Sequence, residues 1–324
     1  MSAADDQRWM GAAIALGTRG RGRTSPNPNV GCIIVADDRV VGRGWTQPGG
    51  RPHAEAMALQ QAGKAARGAT TYVTLEPCAH VSDRGPACAD SLIEAGVARV
   101  VVGCGDPDPR TNGNGIAGLR GAGIRVDTGV REAEATRSMA GFLTRIALAR
   151  PYVTLKLALS LDGRIALPFG DSRWITSAHA RAHTHLERAR SDMILVGRGT
   201  YEADAPKLDV RLPGLEDRSP ARALLSRTRQ VEGWHQLRRP EDIAGLAGIN
   251  DLFVEGGADT ASAFLAADLV DRLLLYHAPI LIGEGRAALR DIGLNSLSDA
   301  HGRWRHTSGR SLGVDRLEVY ERIL

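Results

Sequence analysis

Aromatic side chains are scarce in this sequence, since Phe, Trp and Tyr make up only 4% of its 324 residues. The core must therefore be built mainly from aliphatic side chains, and a surface that stacks nucleic-acid bases is disfavoured because it needs aromatic rings. Cysteine is also rare. The four thiols, at Cys32, Cys78, Cys88 and Cys104, are too few to hold a chain of this length together with disulfides.

Long apolar runs are lacking as well. No segment approaches the ~20 apolar residues of a membrane-spanning helix, and residues 1–6 lack the basic stretch and apolar run of a signal peptide. We therefore expect a cytoplasmic protein with no membrane partner.

The charge of the chain is mildly positive and evenly spread. Lys and Arg outnumber Asp and Glu by 41 to 37, a formal net charge of +4. A nucleic-acid binder usually concentrates its basic residues, so we expect no nucleic-acid partner. The excess suits phosphorylated ligands without requiring them. With 324 residues, the chain is long for one domain of roughly 100 to 200 residues, which favours two domains although one large barrel stays open.

The first half alternates helical and strand patterns. A helical pattern near the N-terminus precedes an apolar run at 30–35, a turn at Asp37-Asp38 and a return strand that begins at Val40. Further helices are predicted at 53–66, 87–95, 114–119 and 132–149, and strands at 70–75 and 97–102. This alternation indicates an α/β fold in which a sheet lies between two layers of helices.

A domain boundary is predicted at Ala149-Arg150-Pro151, because a long Ala-rich helix runs there into a proline that it cannot easily continue through. The predicted domains are thus 1–149 and 150–324. The second half restarts the α/β pattern, with strands at 152–159, 193–196, 252–255 and 273–277 and helices at 178–189 and 260–269. Residues 212–248 are rich in Pro, Gly and Arg and predict no clear element.

The strongest chemical signal is His53-Ala54-Glu55, followed by Pro77-Cys78 and Cys88. A hydrolytic zinc site uses three protein ligands and keeps one position for water, and one His with two thiolates supplies that number. Glu55 can reach this water from the start of the same predicted helix and can carry its proton. His-x-Glu, Pro-Cys and a second Cys form the general signature of zinc nucleobase deaminases. We therefore predict His53, Cys78 and Cys88 as Zn²⁺ ligands and Glu55 as the catalytic residue.

These residues also allow other interpretations. A lone Cys is usually buried filler, and we expect that role for Cys32 and Cys104, which lie in predicted strands. A structural zinc needs a fourth protein ligand, for which His80 is the nearby candidate, and gives Glu55 no task. The nine residues between Cys78 and Cys88 exceed the two that are typical of cytidine and tRNA deaminases, so this loop is expected to carry its own residues toward the substrate.

Three motifs in the first half resemble those of the RibD family of bifunctional riboflavin biosynthesis proteins: TSPNPNVG at 24–31, HAE at 53–55 and TLEPCAH at 74–80. The resemblance continues through PYVTLKLALSLD at 151–162, SRWIT at 172–176 and FVEGG at 253–257. These segments follow the family's order over nearly the whole chain, so the resemblance is specific.

For the first domain, the resemblance implies a cytidine-deaminase-like fold that deaminates a ribosylaminopyrimidinone phosphate, a small phosphorylated pyrimidine. Glu55 would pass a proton to the departing ammonia, and Asn27 and His80 match family positions that contact the pyrimidine. Two departures concern substrate contacts. Thr46 stands where many relatives have a histidine, and the loop between the cysteines is one residue longer than in those relatives.

For the second domain, the resemblance implies a dihydrofolate-reductase-like α/β fold that reduces a ribosyl group to a ribityl chain with hydride from NADPH. The residues that would line the cofactor site are Ala158, Trp174, Thr200, Asp204, Ser226, Gly257, Ala258, Asp259 and Thr260. Those that would face the substrate are Ser172, Arg188, Leu208, Arg211 and Glu255. Both arginines suit its 5′-phosphate. Lys156 and Asp162 lie in the most family-like stretch and are expected to have a positioning role.

Without the resemblance, the residues of the second domain give weaker evidence for a function. Glycines at 196–200 and 254–258 follow predicted strands, and the second set opens a helix whose N-terminal amides can hold a phosphate. Neither set is the GxGxxG fingerprint, so a Rossmann domain is not indicated. Without the resemblance, Arg188 would belong to a solvated helix face and Arg211 to a basic loop. Because 212–248 is shorter than in many relatives, the pocket around Ser226 is open to remodelling.

Two rival functions remain open at this point. One is a zinc deaminase of another nucleoside or of tRNA, with a non-catalytic C-terminal domain. The other is a non-catalytic, zinc-stabilised nucleic-acid protein. The oligomeric state is also open, with a homodimer or a higher homo-oligomer as alternatives to a single chain.

Overall fold

The structure is a computed structural model that describes residues 2–81 and 84–323. Its internal contacts divide the chain into two compact units, Met1–Ala149 (unit 1) and Arg150–Leu324 (unit 2). Of the helices in the described ranges, none has both the length and the apolar character that crossing a bilayer requires.

Unit 1 contains six helices and five strands among its described residues. In chain order they are α1 (Ala3–Gly17), β1 (Gly31–Ala36), β2 (Arg39–Trp45), α2 (Ala54–Ala62), β3 (Thr70–Leu75), α3 (Cys88–Ala95), β4 (Arg99–Cys104), α4 (Asn114–Gly121), β5 (Arg125–Thr128), α5 (Glu132–Ser138) and α6 (Ala140–Leu148). A capping box of Ser2 and Asp5 begins α1. The left-handed Gly96 ends α3.

The strands of unit 1 form one sheet in the order β2-β1-β3-β4-β5. β1 is antiparallel to β2 and β3, whereas β3, β4 and β5 are parallel. Val73 and Val102 pack with residues of α2 and α3 on one face of the sheet, and Tyr72 and Val101 pack with α1 on the other. The sheet therefore lies between helical layers, which confirms the expected α/β/α arrangement.

Three elements of unit 1 differ from the sequence expectation. The helix predicted at 53–66 ends at Ala62, because Gly63 leaves helical backbone with a φ of 52°. The helix predicted at 132–149 is two helices, since the backbone of Met139 breaks the run between α5 and α6. The pattern misses β5, whose four residues bury only one side chain, that of Val126.

Unit 2 contains three helices and ten strands among its described residues. They are β6 (Tyr152–Leu159), β7 (Arg164–Ala166), α7 (Ala178–Ala189), β8 (Met193–Gly197), α8 (Arg198–Asp204), β9 (Ala221–Leu225), β10 (His235–Leu237), β11 (Asp251–Val254), α9 (Ala258–Ala266), β12 (Arg272–His277), β13 (Arg286–Ala287), β14 (Trp304–Leu312) and β15 (Asp315–Arg322).

Eight of these strands form one sheet, in the order β10-β9-β8-β11-β6-β12-β15-β14. The strands from β10 to β12 are parallel, and β15 and β14 add an antiparallel hairpin. Leu155 packs with Phe264 of α9 on one face, and Phe253 packs with Ala180 of α7 on the other. Ligands of such sheets bind at the carboxyl ends of the parallel strands, which fixes where to look for a site.

The sequence pattern misses the hairpin of β14 and β15 and takes β12 as the last clear strand. Most residues of β14 are exposed, so this edge strand lacks the apolar alternation that reveals a strand. The short strands β9 and β10 lie in 212–248, for which no element was expected. The helix predicted at 260–269 begins two residues earlier, at Ala258.

Candidate functional sites

Three metal-binding side chains meet at one edge of the unit 1 sheet. His53 is the residue before α2, Cys78 follows β3, and Cys88 is the first residue of α3. One ligand atom from each lies within 4.8 Å of the other two, and both cysteines are buried. The fold thus gathers residues from three separate elements into one donor set.

The donor set fits a tetrahedral zinc ion. Nδ1 of His53 lies 3.3 Å from Sγ of Cys88 and 3.7 Å from Sγ of Cys78. Zn–N and Zn–S bonds of about 2.0 and 2.3 Å at a tetrahedral angle separate such atoms by roughly 3.6 Å. His80, the fourth ligand that a closed structural site would need, is not part of the group that the described residues form. Three donors with one vertex left for water are typical of catalytic zinc.

The two thiols of this site are electrostatically unequal. The hydrogen bond from Cys88 is the largest cause that lowers the pKa of Cys78 to about 4, and the His53 ring adds to it. The backbone amide of Cys88 also donates to Sγ of Cys78, at 3.3 Å. The shared hydrogen bond raises the pKa of Cys88 above its ordinary value. The hydrogen bonds to Sγ of Cys78 thus favour its thiolate, the form that binds metals.

Glu55 lies in the first turn of α2 and is only 3% exposed. Burial raises the pKa of its carboxyl, while the nearby His53 opposes this. The Glu55 carboxyl interacts electrostatically with Cys88 and Cys78, so it adjoins the donor set without belonging to it. A raised pKa moves the proton exchange of a carboxyl closer to neutral pH, where an acid–base catalyst works best.

Asn27 and His80 lie close to the metal ligands. Nδ2 of Asn27 is 3.2 Å from Nε2 of His53 and donates to the carbonyl of Gly50 at 3.0 Å. The Asn27 amide therefore lies against the imidazole on the side opposite the thiols. His80 is half-buried two residues after Cys78, and its buried Nδ1 has no hydrogen-bond partner among the described residues. That nitrogen remains available to a ligand.

Thr46 does not take over a histidine's place toward the site. Its side chain is 1% exposed, and its hydroxyl oxygen accepts the backbone N–H of Val30 at 3.0 Å. The buried Thr46 hydroxyl therefore stabilises the backbone before β1.

A group of carboxylates that the sequence pattern does not reveal lies beside the metal ligands: Glu76, Asp106 and Asp108. Glu76 accepts backbone hydrogen bonds from Asp106, Gly113 and Ile116, at 3.4, 3.0 and 3.1 Å, and so fixes the loop after β4. Burial raises the pKa of Asp106 to about 6, and the charges of Asp108, Glu76 and Cys78 contribute. The position of these carboxylates could have been predicted from the strand order. Because β3 and β4 are parallel neighbours, their carboxyl ends lie at one edge of the sheet, and polar residues that follow β4 lie near Cys78.

Unit 2 contains a cavity of about 960 Å³ beside the carboxyl ends of β6, β8 and β11. It is lined by all but one of the residues that the resemblance implied for this half: Ala158, Ser172, Trp174, Arg188, Thr200, Asp204, Leu208, Arg211, Glu255, Gly257, Ala258, Asp259 and Thr260. Ser226 lies outside the lining. Its hydroxyl oxygen accepts backbone hydrogen bonds from Thr228 and Arg229, at 3.3 and 2.8 Å.

Three charged side chains inside this cavity lie close together: those of Lys156, Arg188 and Glu255. Arg188 and Glu255 form an ion pair at 2.6 Å, with side chains only 12% and 10% exposed. The ammonium of Lys156, which the sequence left without an assigned task, lies 4.0 Å from Glu255. Burial lowers the pKa of Lys156, so it releases its proton more readily than an ordinary lysine.

Asp162 lies outside the cavity lining and has a different task from Lys156. Its carboxylate accepts the hydroxyl of Ser160 at 2.5 Å and the backbone amides of Ile282 and Gly283 at 3.1 and 2.7 Å. It therefore ties the turn after β6 to the loop after β12.

The cavity wall contains groups that suit a phosphate and a flat heterocycle. α9 begins at its wall, so the first amides of that helix can hold a phosphate. A Cβ at Gly256 would lie 2.4 Å from Cβ of Thr260, so glycine is needed where the strand approaches the helix. Trp174 lines the cavity with 65% of its surface exposed, and the guanidinium of Arg181 lies 4.7 Å from its ring. An aromatic ring in this position can stack on a flat heterocycle.

Taken together, the three-layer unit with its His–Cys–Cys donor set and buried glutamate defines a zinc-binding deaminase, joined to a reductase unit that uses a nicotinamide cofactor. Residues 3–104 match the model of the cytidine and deoxycytidylate deaminase zinc-binding region. Residues 151–246 and 242–315 match that of the RibD C-terminal domain. The chain belongs to the RibD family, and it is a bifunctional deaminase and reductase of riboflavin biosynthesis.

Individual relatives cover almost the whole chain. The riboflavin biosynthesis protein RibD of Escherichia coli is 40% identical over 91% of this chain and 94% of its own length. RibD of Acinetobacter baumannii superposes with a TM-score of 0.90 at 36% identity, over 100% of both chains. A Thermotoga maritima structure has the same TM-score of 0.90 at 31% identity and full coverage. These matches confirm the cytidine-deaminase-like and dihydrofolate-reductase-like folds, and they favour the bifunctional enzyme over a deaminase with an inert second domain.

Proposed function

We propose that unit 1 deaminates 2,5-diamino-6-ribosylamino-4(3H)-pyrimidinone 5′-phosphate, and that unit 2 reduces the ribosyl group of the product to a ribityl chain with NADPH. The observation that carries this proposal is the His–Cys–Cys donor set beside buried Glu55. The Thermotoga maritima relative, named a diaminohydroxyphosphoribosylaminopyrimidine deaminase/5-amino-6-(5-phosphoribosylamino)uracil reductase, supports both substrates.

In unit 1, His53, Cys78 and Cys88 would hold zinc, which when bound lowers the pKa of a water molecule and makes it nucleophilic at neutral pH. Glu55 would take a proton from that water as the water oxygen bonds to the ring carbon, and would deliver the proton to the exocyclic amine. The C–N bond then breaks, ammonia leaves, and a carbonyl remains on the ring. Asn27 and His80 hydrogen-bond the pyrimidine edge beside the donor set.

In unit 2, a bound reduced nicotinamide would supply the hydride for C1′ of the substrate's ribose. The ring oxygen must gain a proton as the ring opens. Lys156 is suited to donate it, because it lines the cavity and its pKa is lowered by burial. Glu255, 4.0 Å away, keeps the ammonium in place.

The remaining cavity residues divide between the two ligands. The amides and side chains from Gly257 to Thr260 at the start of α9 hold the cofactor phosphates, and Trp174 stacks on a ring of the cofactor. Ala158, Thr200 and Asp204 complete the wall of the cofactor site. Ser226 is assigned to the cofactor only by the family resemblance, because it lies outside the cavity lining. NADPH rather than NADH is favoured because Lys207, Arg286 and Arg290 add positive charge to the lining, which suits an extra phosphate.

Ser172, Leu208, Arg211 and Glu255 face the pyrimidine phosphate in this proposal. The ion pair with Arg188 holds the Glu255 carboxylate in position. Arg211 would then bind the 5′-phosphate, because its side chain is 59% exposed.

The test supplies the diaminopyrimidinone phosphate to the zinc-loaded protein with and without NADPH, and follows ammonia release and NADPH oxidation separately. We expect ammonia in both cases and cofactor oxidation only after deamination. Cytidine and tRNA serve as control substrates and should release no ammonia. Absence of ammonia from the diaminopyrimidinone phosphate, or of NADPH oxidation with its deaminated product, would refute the corresponding half.

A further inference from the structure

His185 lies in the wall of the unit 2 cavity, next to both arginines of the substrate side. It belongs to α7 and precedes Arg188 by one helical turn, so the two side chains share a helix face. Nδ1 of His185 lies 3.1 Å from the carbonyl oxygen of Asp209. Nε2 lies 3.4 Å from Nη2 of Arg211. The ring thus bridges the helix and the loop that carries Arg211.

The polar contacts of this ring select one tautomer. A carbonyl only accepts and a guanidinium only donates, so the proton belongs on Nδ1 and the lone pair on Nε2 faces Arg211. The other tautomer would keep only the contact with the Arg211 backbone amide, at 3.3 Å, and would set an N–H against the guanidinium. Burial lowers the pKa of His185, and the charges of Arg188 and Arg211 lower it further, although Glu255 opposes this. These groups keep the ring neutral.

The loop held by His185 begins with a strained residue. Leu208 is 4% exposed and has a φ of 57°, a region that side-chain-bearing residues rarely adopt. The carbonyl of the next residue, Asp209, accepts from His185 at 3.1 Å and from Nη1 of Arg188 at 3.0 Å. Two hydrogen bonds from α7 therefore hold this loop against its own backbone strain.

The two arginines differ in what they can offer an anion. Glu255 and the Asp209 carbonyl engage Nε, Nη1 and Nη2 of Arg188. Arg211 is 59% exposed, and its nearest carboxylate, that of Asp209, is 3.6 Å away. The direction of the Arg211 guanidinium thus depends on the acceptor that His185 presents.

We propose that neutral His185 is a positioning residue for a phosphate monoester: it holds the 208–211 loop through Asp209 and aims the Arg211 guanidinium at the substrate's 5′-phosphate. This inference rests on the proposed function of unit 2. Because His185 acts through Arg211 and away from the reacting atoms, its loss should raise KM and spare kcat.

The test compares His185→Asn with the unmodified protein, using the deaminated substrate and the same molecule without its phosphate. Asn keeps a donor near the position of Nδ1 and removes the acceptor at Nε2. We expect KM for the phosphorylated substrate to rise about tenfold, near 1.4 kcal/mol, with kcat changed by less than about twofold. KM for the substrate without phosphate should not change. His179→Asn, an exposed histidine of the same helix outside the cavity lining, is the matched control.

A double-mutant cycle separates this inference from the proposed function. In an Arg211→Ala background, His185→Asn should have no further effect on KM, because coupled residues are not additive. An equal His185→Asn effect in both backgrounds, or on both substrates, would overturn the positioning role. If Arg211→Ala itself leaves KM for the phosphorylated substrate unchanged, the phosphate assignment fails instead.

His185→Gln supplies a second, independent variant should the Asn variant not fold. Its amide oxygen can reach the position of Nε2 and accept from Arg211, so it should restore part of the lost affinity for the phosphorylated substrate. A KM as high as that of a folded His185→Ala protein would contradict the inference. Thermal unfolding midpoints of all variants show whether they are folded.

Discussion

Arg188 binds both carboxylate oxygens of Glu255, through Nε at 2.6 Å and Nη2 at 3.0 Å. Sequence resemblance assigns both residues to the substrate, whereas the structure pairs them with each other inside the cavity wall. Bidentate pairs of this kind are geometrically rigid. The Arg188 guanidinium is therefore engaged by Glu255.

Glu255→Gln should destabilise unit 2 by about 1.5–3 kcal/mol at pH 7, because it weakens charge-assisted hydrogen bonds and leaves Arg188 and Lys156 without a counter-charge. Chemical denaturation, with fluorescence as the probe, measures the free energy of unfolding. Glu202→Gln is the control, since its partner Arg198 is 4.0 Å away and both side chains are more than half exposed. That change should cost less than about 1 kcal/mol.

The same pair predicts a pH dependence. Burial acts to raise the pKa of Glu255, but Arg188 outweighs it and the pKa lies below its ordinary value. A depressed carboxyl pKa gives stability that is complete above the unfolded-state value, about pH 4 to 5, and is lost as the pH falls through the folded-state pKa. The stability difference between the unmodified protein and Glu255→Gln should therefore be constant from pH 5 to 7 and shrink in more acidic buffer. A difference that grows on acidification would contradict this pairing.

Glu55→Gln should reduce ammonia release by about 10²- to 10⁴-fold, the usual contribution of an acid–base catalyst. Zinc content should stay the same, because Glu55 lies outside the donor set. Metal analysis and an ammonia assay on one preparation check both statements. Glu94→Gln, on the exposed face of α3, should leave both unchanged. Loss of zinc in the Glu55 variant would instead make the carboxylate a ligand.

Cys88→Ser should lose zinc and more than about 100-fold of deaminase activity, since even groups that only support metal ligands contribute 10- to 100-fold. Reduction of the already deaminated substrate should persist, because unit 2 has hydrophobic clusters of its own. Cys104→Ser is the control. Its thiol donates to the carbonyl of Thr74 at 3.4 Å, a bond that a hydroxyl can keep, so zinc should remain. Loss of both activities in Cys88→Ser would show that zinc also supports unit 2.

Trp174→Ala should weaken NADPH binding about tenfold, roughly 1.4 kcal/mol. The ring is 65% exposed in the cavity, and a stacked cofactor would cover it. Titration of nicotinamide fluorescence gives the dissociation constant. Phe169→Ala removes an aromatic ring that is 98% exposed and outside the cavity lining, and it should leave NADPH affinity unchanged. Equal losses in both variants would argue against stacking on Trp174.

Much of the deaminase site could be predicted from the sequence because its ligands lie at element ends that local patterns reveal. A run of β-branched and aromatic residues predicts β3, which places Cys78 just beyond a buried strand. His53 and Glu55 open a helix two residues apart, a spacing that needs no tertiary information. The burial of Cys32 and Cys104 in the core follows equally from the apolar strands around them.

Tertiary structure alone decided which distant groups meet. Asp106 lies beside Cys78 because β4 pairs with β3, and strand order does not follow from the hydrophobicity of either strand. The Arg188–Glu255 pair joins α7 to the end of β11 across 67 positions. The exposed edge strand β14 has no apolar alternation, and it is defined by pairing with β15. Local sequence thus fixes periodicity and element ends, whereas ion pairs, edge strands and the neutral His185 depend on contacts between elements that only the folded chain brings together.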